Sequence, residues 1–210
     1  MKNSITIALL FVVSLNYSCA QNPENKVITP KEPVFSTELF VDELQIPWGF
    51  TFLPDKSILI TEKEGKLIHF RNGKKTIISN VPEVYNRGQG GLLDIEIHPN
   101  YQENGFIYLS YASTEGNEKG GHTAIMRAKL KNNALIEKEL LYKAVPNTTK
   151  GQHFGSRIVF DNDGYLYFSI GERGDRDINP QDLKRDGGKI YRLHDDGRIP
   201  KDNPFVNVNG

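Results

Sequence analysis

A histidine enclosed by glycines is the first candidate for chemistry: His153 stands in Gly151-Gln152-His153-Phe154-Gly155-Ser156-Arg157. Glycine on both sides allows the backbone a sharp turn. The apolar alternation that follows reads as a strand, which places the imidazole at a strand entrance. An imidazole there can take a proton from a bound alcohol, because its ordinary pKa lies near neutrality. A structural loop histidine has the same local sequence, so spacing alone leaves both readings open. The other four histidines have plainer settings: His69 after a glycine turn, His98 before a proline, His122 in a glycine-rich stretch and His194 beside an acidic turn. None forms a His-x-x-x-His pair and Cys19 is the only cysteine, so a zinc centre is not expected.

Two further glycine loops carry polar side chains. Arg87-Gly88-Gln89-Gly90-Gly91 offers a neutral amide, Gln89, on flexible backbone. Gly171-Glu172-Arg173-Gly174-Asp175-Arg176 offers charges of both signs; no Lys-Ser or Lys-Thr follows it and no helix starts there, so it is not a phosphate loop. Asp161-Asn162-Asp163-Gly164 begins like a calcium loop, but its glycine comes too early and no late glutamate follows, so a β-turn is expected.

The elements that must position these loops are short strands. Candidate strands are Gly49–Phe52, Ser57–Thr61, Leu67–Arg71, Leu92–Ile97, Phe106–Tyr111, Ile125–Leu130, Ile158–Phe160, Leu166–Ile170 and Lys189–Leu193, and many alternate apolar and polar positions, as in Ile95-Glu96-Ile97. No 3.6-residue apolar stripe persists over three turns, although Leu135 to Leu141 could form one short helical turn. The strands recur as units. Phe52-Leu53-Pro54-Asp55, Ile97-His98-Pro99-Asn100 and Phe160-Asp161-Asn162-Asp163 occupy equivalent places, with Phe52, Ile97 and Phe160 separated by 45 and then 63 residues. That period, with several strands per unit, is the signature of a β-propeller. The longer interval leaves room for an insertion around Thr114 to His122. Known propellers have about four blades or more. Three units therefore predict the N-terminal part of a longer all-β protein.

Composition sets the outer bounds. The 210 residues carry 26 basic and 26 acidic side chains, a formal charge of zero, which removes the broad electrostatic case for nucleic-acid binding. Residues 1–20 begin with Lys2 and contain an apolar run from Ile5 to Leu15. That run is too short to span a membrane, which takes about 20 residues, and reads as the core of an export signal. Two processing routes stay open: cleavage after Ala20, or lipidation of Cys19 behind the loose lipobox Leu15-Asn16-Tyr17-Ser18. The position of Cys19 favours the second, with a lipid anchor on a periplasmic or outer-membrane protein of a bacterium. Residues 21–34, with Pro23, Pro30 and Pro33, read as a polar tether to the body at 35–210.

Taken together the motifs resemble the soluble PQQ-dependent sugar dehydrogenases, the glucose/sorbosone dehydrogenase family of six-bladed propellers. The resemblance runs through Pro47-Trp48-Gly49, Gly88-Gln89-Gly90-Gly91-Leu92-Leu93, His98-Pro99, His153-Phe154-Gly155-Ser156-Arg157, Gly171-Glu172-Arg173-Gly174, Gly188-Lys189-Ile190-Tyr191-Arg192 and Lys201-Asp202-Asn203-Pro204-Phe205. It implies a partial six-bladed propeller, with about three blades present. It also implies quinone-dependent oxidation of aldoses to lactones, with His153 as general base on the anomeric hydroxyl and the hydride passing to PQQ. Gln89 matches the family's glutamine beside quinone and substrate. Gln152 stands where glucose-specific members carry an aspartate, which implies a substrate contact and a broader aldose range. Calcium, an external electron acceptor, and cationic ligands of the quinone supplied by later blades complete the implied machinery, so the chain alone is expected to be inactive. The alternative from another class is a non-catalytic exported propeller that binds a glycan or protein.

Overall fold

The computed structural model describes residues 35–208, so the leader expected at 1–20, Cys19 and the tether expected at 21–34 lie outside the described residues. The compact unit starts at Phe40, and residues 35–39 carry no helix or strand. Its strands are β1 (Pro47–Phe52), β2 (Ile58–Glu62), β3 (Lys66–Arg71), β4 (Lys74–Ile78), β5 (Leu92–Ile97), β6 (Phe106–Ser113), β7 (His122–Lys131), β8 (Ala134–Lys143), β9 (Gly155–Phe160), β10 (Leu166–Ile170) and β11 (Lys189–Leu193). A single turn of helix, α1 (Tyr101–Asn104), separates β5 from β6. The protein is all-β. Chain neighbours pair antiparallel in three sheets, β1 to β4, β5 to β8 and β9 to β11. The first strands β1, β5 and β9 lie side by side, as the inner strands of adjacent propeller blades do.

Turn chemistry explains why each sheet is a meander. Asn72 and Gly73, both with positive φ, close β3 onto β4, and Asn132 and Asn133 do the same for β7 and β8. Two residues with φ > 0 make the primed turns that match the twist of paired strands. Phe52, Ile97 and Phe160 each end the first strand of their sheet, so the repeat seen in the sequence is a structural one. The longer second interval has two sources: the loop at 114–121, and strands β7 and β8 of 10 residues each against five or six in the first sheet.

Burial separates the three sheets. The middle one is covered on both faces: Ile107, Leu109 and Met126 join Leu59, Leu67 and Ile78 of the first sheet, while Tyr108 and Ile125 join Ile158, Leu166 and Phe168 of the third. Hence β6 reads as a nearly unbroken apolar run. Strands β9 and β10 of the third sheet keep the alternation, because only one face of that sheet is covered. The helical turn expected at Leu135–Leu141 is instead part of β8. Its pairing with β7 shifts register, and Glu137 has φ 49°, so alternation breaks and the apolar doublets mimic a helical period.

Candidate active site

The three glycine loops of the sequence meet at one end of the sheets. One precedes β5, one precedes β9 and one follows β10, so antiparallel pairing brings all three to the inner-strand entrances. Their backbones touch. Gln89 N–H donates to the Gly151 carbonyl at 2.6 Å, and a Cβ on Gly88 would lie 2.2 Å from that same oxygen. A Cβ on Gly171 would lie 2.1 Å from the His153 carbonyl. Only glycine permits approaches this close.

His153 sits at the junction with φ 54°, in the left-handed region that non-glycine residues seldom adopt. Its backbone N–H donates to Gln89 Oε1 at 2.7 Å, and its Nδ1 is hydrogen-bonded to Glu172 Oε1. The imidazole is half exposed, at 51%, while Glu172 is 19% exposed. Burial works to raise the Glu172 carboxyl, but the His153 hydrogen bond and the backbone N–H groups of Asp175 and Gly174 outweigh it and hold the group below the usual glutamate value. An ionised acceptor assigns the ring hydrogen to Nδ1. The Nε2 lone pair then has no protein partner among the described residues. Such an arrangement suits a general base whose tautomer is set by a carboxylate.

The platform beneath is apolar and locked. Phe154 is buried with Leu93 and Ala112 against Trp48 and Tyr85, and Thr123 Oγ1 donates to its carbonyl at 2.6 Å. The ladder between β9 and β10 shifts register beside Gly155, where Ser156 has φ 105°, and this bulge re-aims the chain out of the sheet. Asp94 ties the inner strands together from below. Its Oδ2 accepts from Ile158 N–H at 2.9 Å and its Oδ1 from Arg157 Nη1 at 2.9 Å, and a Cβ on Gly49 would meet Oδ1 at 2.8 Å.

The structure thus brings His153 and Gln89 together, with Gln89 fastened to the His153 backbone through its oxygen and its Nε2 free to face a ligand. Gln152 turns instead along the third loop: its Nε2 would lie 2.4 Å from a Cβ on Gly174. Sequence reasoning missed the role of Glu172, which it saw only as one charge in a mixed loop. It also missed Asp94, whose signal was an acid inside the apolar run Leu92-Leu93-Asp94-Ile95. Asp161-Asn162-Asp163-Gly164 is the expected turn, with Asp161 Oδ1 accepting from the N–H groups of Asp163 and Tyr165.

The fit of a quinone can be judged from the donor set. Gln89 and His153 offer the hydrogen-bonding and basic groups that a sugar hydroxyl or a quinone carbonyl requires. Three carboxylates require cations, and this face has few: Lys150 is ion-paired to Asp175 at 2.7 Å and Arg173 is buried, which leaves Arg87 on the Gln89 loop and Arg176 on the third loop exposed. Among the described residues no three or more His, Cys, Asp or Glu side chains gather as a metal cradle. The residues present fit the reacting edge of PQQ and supply two exposed cations for its three carboxylates.

Known proteins resemble this chain in sequence and fold. A family model described as glucose/sorbosone dehydrogenase matches residues 44–210. An aldose sugar dehydrogenase of Escherichia coli K12 is 38% identical over 180 residues, covering 83% of this chain and 48% of the relative. The crystal structure of the soluble E. coli aldose sugar dehydrogenase in its apo-form superposes with a TM-score of 0.75 at 38% identity, over 80% of this chain and 49% of that one. The PQQ-bound aldose sugar dehydrogenase of Streptomyces coelicolor superposes at 0.67 and 30% identity, over 78% and 49%. The chain spans about half the length of these relatives.

Proposed function

The chain belongs to the glucose/sorbosone dehydrogenase family, and on that premise we propose that it serves the PQQ-dependent oxidation of aldose sugars to lactones, with His153 as the general base. The observation that carries this reading is the half-exposed imidazole whose Nδ1 is held by the Glu172 carboxylate. Nε2 takes the proton of the anomeric hydroxyl as the carbon–oxygen double bond forms. PQQ, when bound, supplies the acceptor for the hydride that leaves the same carbon. Glu172 stabilises the imidazolium that results, and Gln89 presents its Nε2 hydrogens to the substrate oxygen or the quinone edge. Gln152 lies along the third loop beside the base, and as a neutral amide in place of an acid it favours a broad aldose range.

Because this chain spans half the length of its relatives and the described residues supply only part of the cation set, the remaining carboxylate ligands of the quinone and most of the calcium ligands would come from residues outside this sequence. The 210 residues alone are then inactive. Export through residues 1–20, lipid attachment at Cys19 and an external electron acceptor belong to the same reading. The decisive experiment is His153→Ala in the full-length protein loaded with PQQ and calcium, followed by dye reduction with a panel of aldoses. Turnover should fall by about 100- to 10,000-fold with PQQ still bound. Unchanged turnover would refute the assignment of the base.

A further inference from the structure

One buried charge beside the base has no part in the proton transfer. Arg173 follows Glu172 in the chain and is fully buried. Its hydrogen bonds all go to uncharged acceptors: the carbonyls of Gln152, Lys150 (2.6 Å) and Gly121 (3.3 Å), and Thr148 Oγ1 (3.3 Å). The guanidinium carbon lies 3.5 Å from the centroid of the Phe154 ring. Taking a cation out of water costs several kcal/mol unless dipoles and a ring face offset it. If the position needed only volume, an apolar side chain would serve as well and more cheaply. A planar fork does something an apolar group cannot: it fixes the directions of several carbonyls at once.

One of those carbonyls belongs to the peptide bond that carries His153. The Gln152 oxygen is held by Arg173, and the His153 N–H of the same peptide is held by Gln89 Oε1 at 2.7 Å. The plane is gripped at both ends. Its orientation directs the Cα–Cβ bond of His153, whose φ of 54° is an unfavourable conformation that its surroundings must impose. Arg173 has φ 57°, which turns its own side chain under the His153 loop while its neighbour Glu172 reaches the imidazole. Two successive residues thus hold one loop, one by its side chain and the other by its backbone.

We propose that Arg173 is a positioning residue that clamps the Gln152–His153 peptide against Gln89 and so keeps the imidazole in register with Glu172. The inference rests on the reading of His153 as base, and its test has its own readout. In the 210-residue chain labelled with ¹⁵N-histidine, His153→Asn identifies the His153 signals. The native chain should show the Nδ1–H tautomer. Arg173→Met, similar in length and without the fork, should keep the fold with a lower thermal midpoint, because it leaves the carbonyls without their donor. It should lose the single tautomer and speed amide exchange at His153 about tenfold or more. Arg173→Lys, which reaches one carbonyl, should recover the tautomer only in part, and it carries the test if the Met variant fails to fold. In the quinone-loaded full-length enzyme the Met variant should lower kcat about 10- to 100-fold with KM little changed. A folded Met or Lys variant with the native tautomer and native exchange would overturn the clamp while leaving the base assignment intact. Turnover surviving His153→Ala would do the reverse.

Discussion

At the scale of single residues, the site is an imidazole held by one carboxylate, and the environment of that carboxylate pulls in a known direction. Glu172 is held below its ordinary value near 4.5, so the stability it contributes is complete above that pH and is lost as pH falls through the depressed value. Glu172→Gln should remove that acid-side loss and should lower turnover in the loaded enzyme by about 100-fold, since the imidazole would lose its tautomer. His122 adds a larger acid effect. Burial first, then the nearby charges of Arg173 and Lys143, push its imidazole from 6.5 down to about 3. The unfolded chain therefore binds a proton that the folded chain refuses between those limits. Stability from this group is whole above about pH 6.5 and declines as pH drops toward 3. Urea midpoints taken across that range should fall with pH, and His122→Phe should flatten the decline; a decline of unchanged slope would show that other groups cause it.

At the scale of elements, glycine contacts and one buried carboxylate hold the loops to the strands. Gly171→Ala would place a methyl group on the His153 carbonyl, so either the third loop or the base must move. The expected cost is about 1–3 kcal/mol of stability with a disturbed His153 environment, measurable by urea unfolding and histidine spectra. Asp94→Ala would leave the Ile158 N–H without its acceptor inside the protein, at about 1–3 kcal/mol. The Arg157 partner is mostly exposed and adds little to that figure. Much at this level was legible in the sequence. The three glycine loops were recognisable because backbone freedom is a property of the residue itself, and Asn72-Gly73 carried the sign of a hairpin into β4. Strands β4 and β8 were passed over because edge strands bury little, and so their alternation is weak.

At the scale of the whole molecule, the two outer sheets each show an uncovered apolar face. Phe50 and Phe52 stand edge to face on β1, and Val159 with Ile190, the latter 78% exposed, stand on the third sheet. Patches of this kind mark surfaces made to be covered. The 210-residue chain should bind a hydrophobic dye, and Phe52→Thr with Ile190→Thr should reduce that binding without lowering the unfolding midpoint. The same chain with PQQ, calcium and an aldose should reduce no dye; turnover would show that the described residues already complete the pocket. The sequence by itself determined the all-β meander, the repeat through Phe52, Ile97 and Phe160, and the loop bearing His153, since period-two alternation and turn chemistry are written locally. Only the tertiary structure decided which groups face that histidine. Glu172 lies 19 positions away and Gln89 lies 64, and they arrive at the imidazole and its peptide through strand register and the stacking of sheets. A one-residue slip in either would send those side chains elsewhere, which is why no local pattern could have announced them.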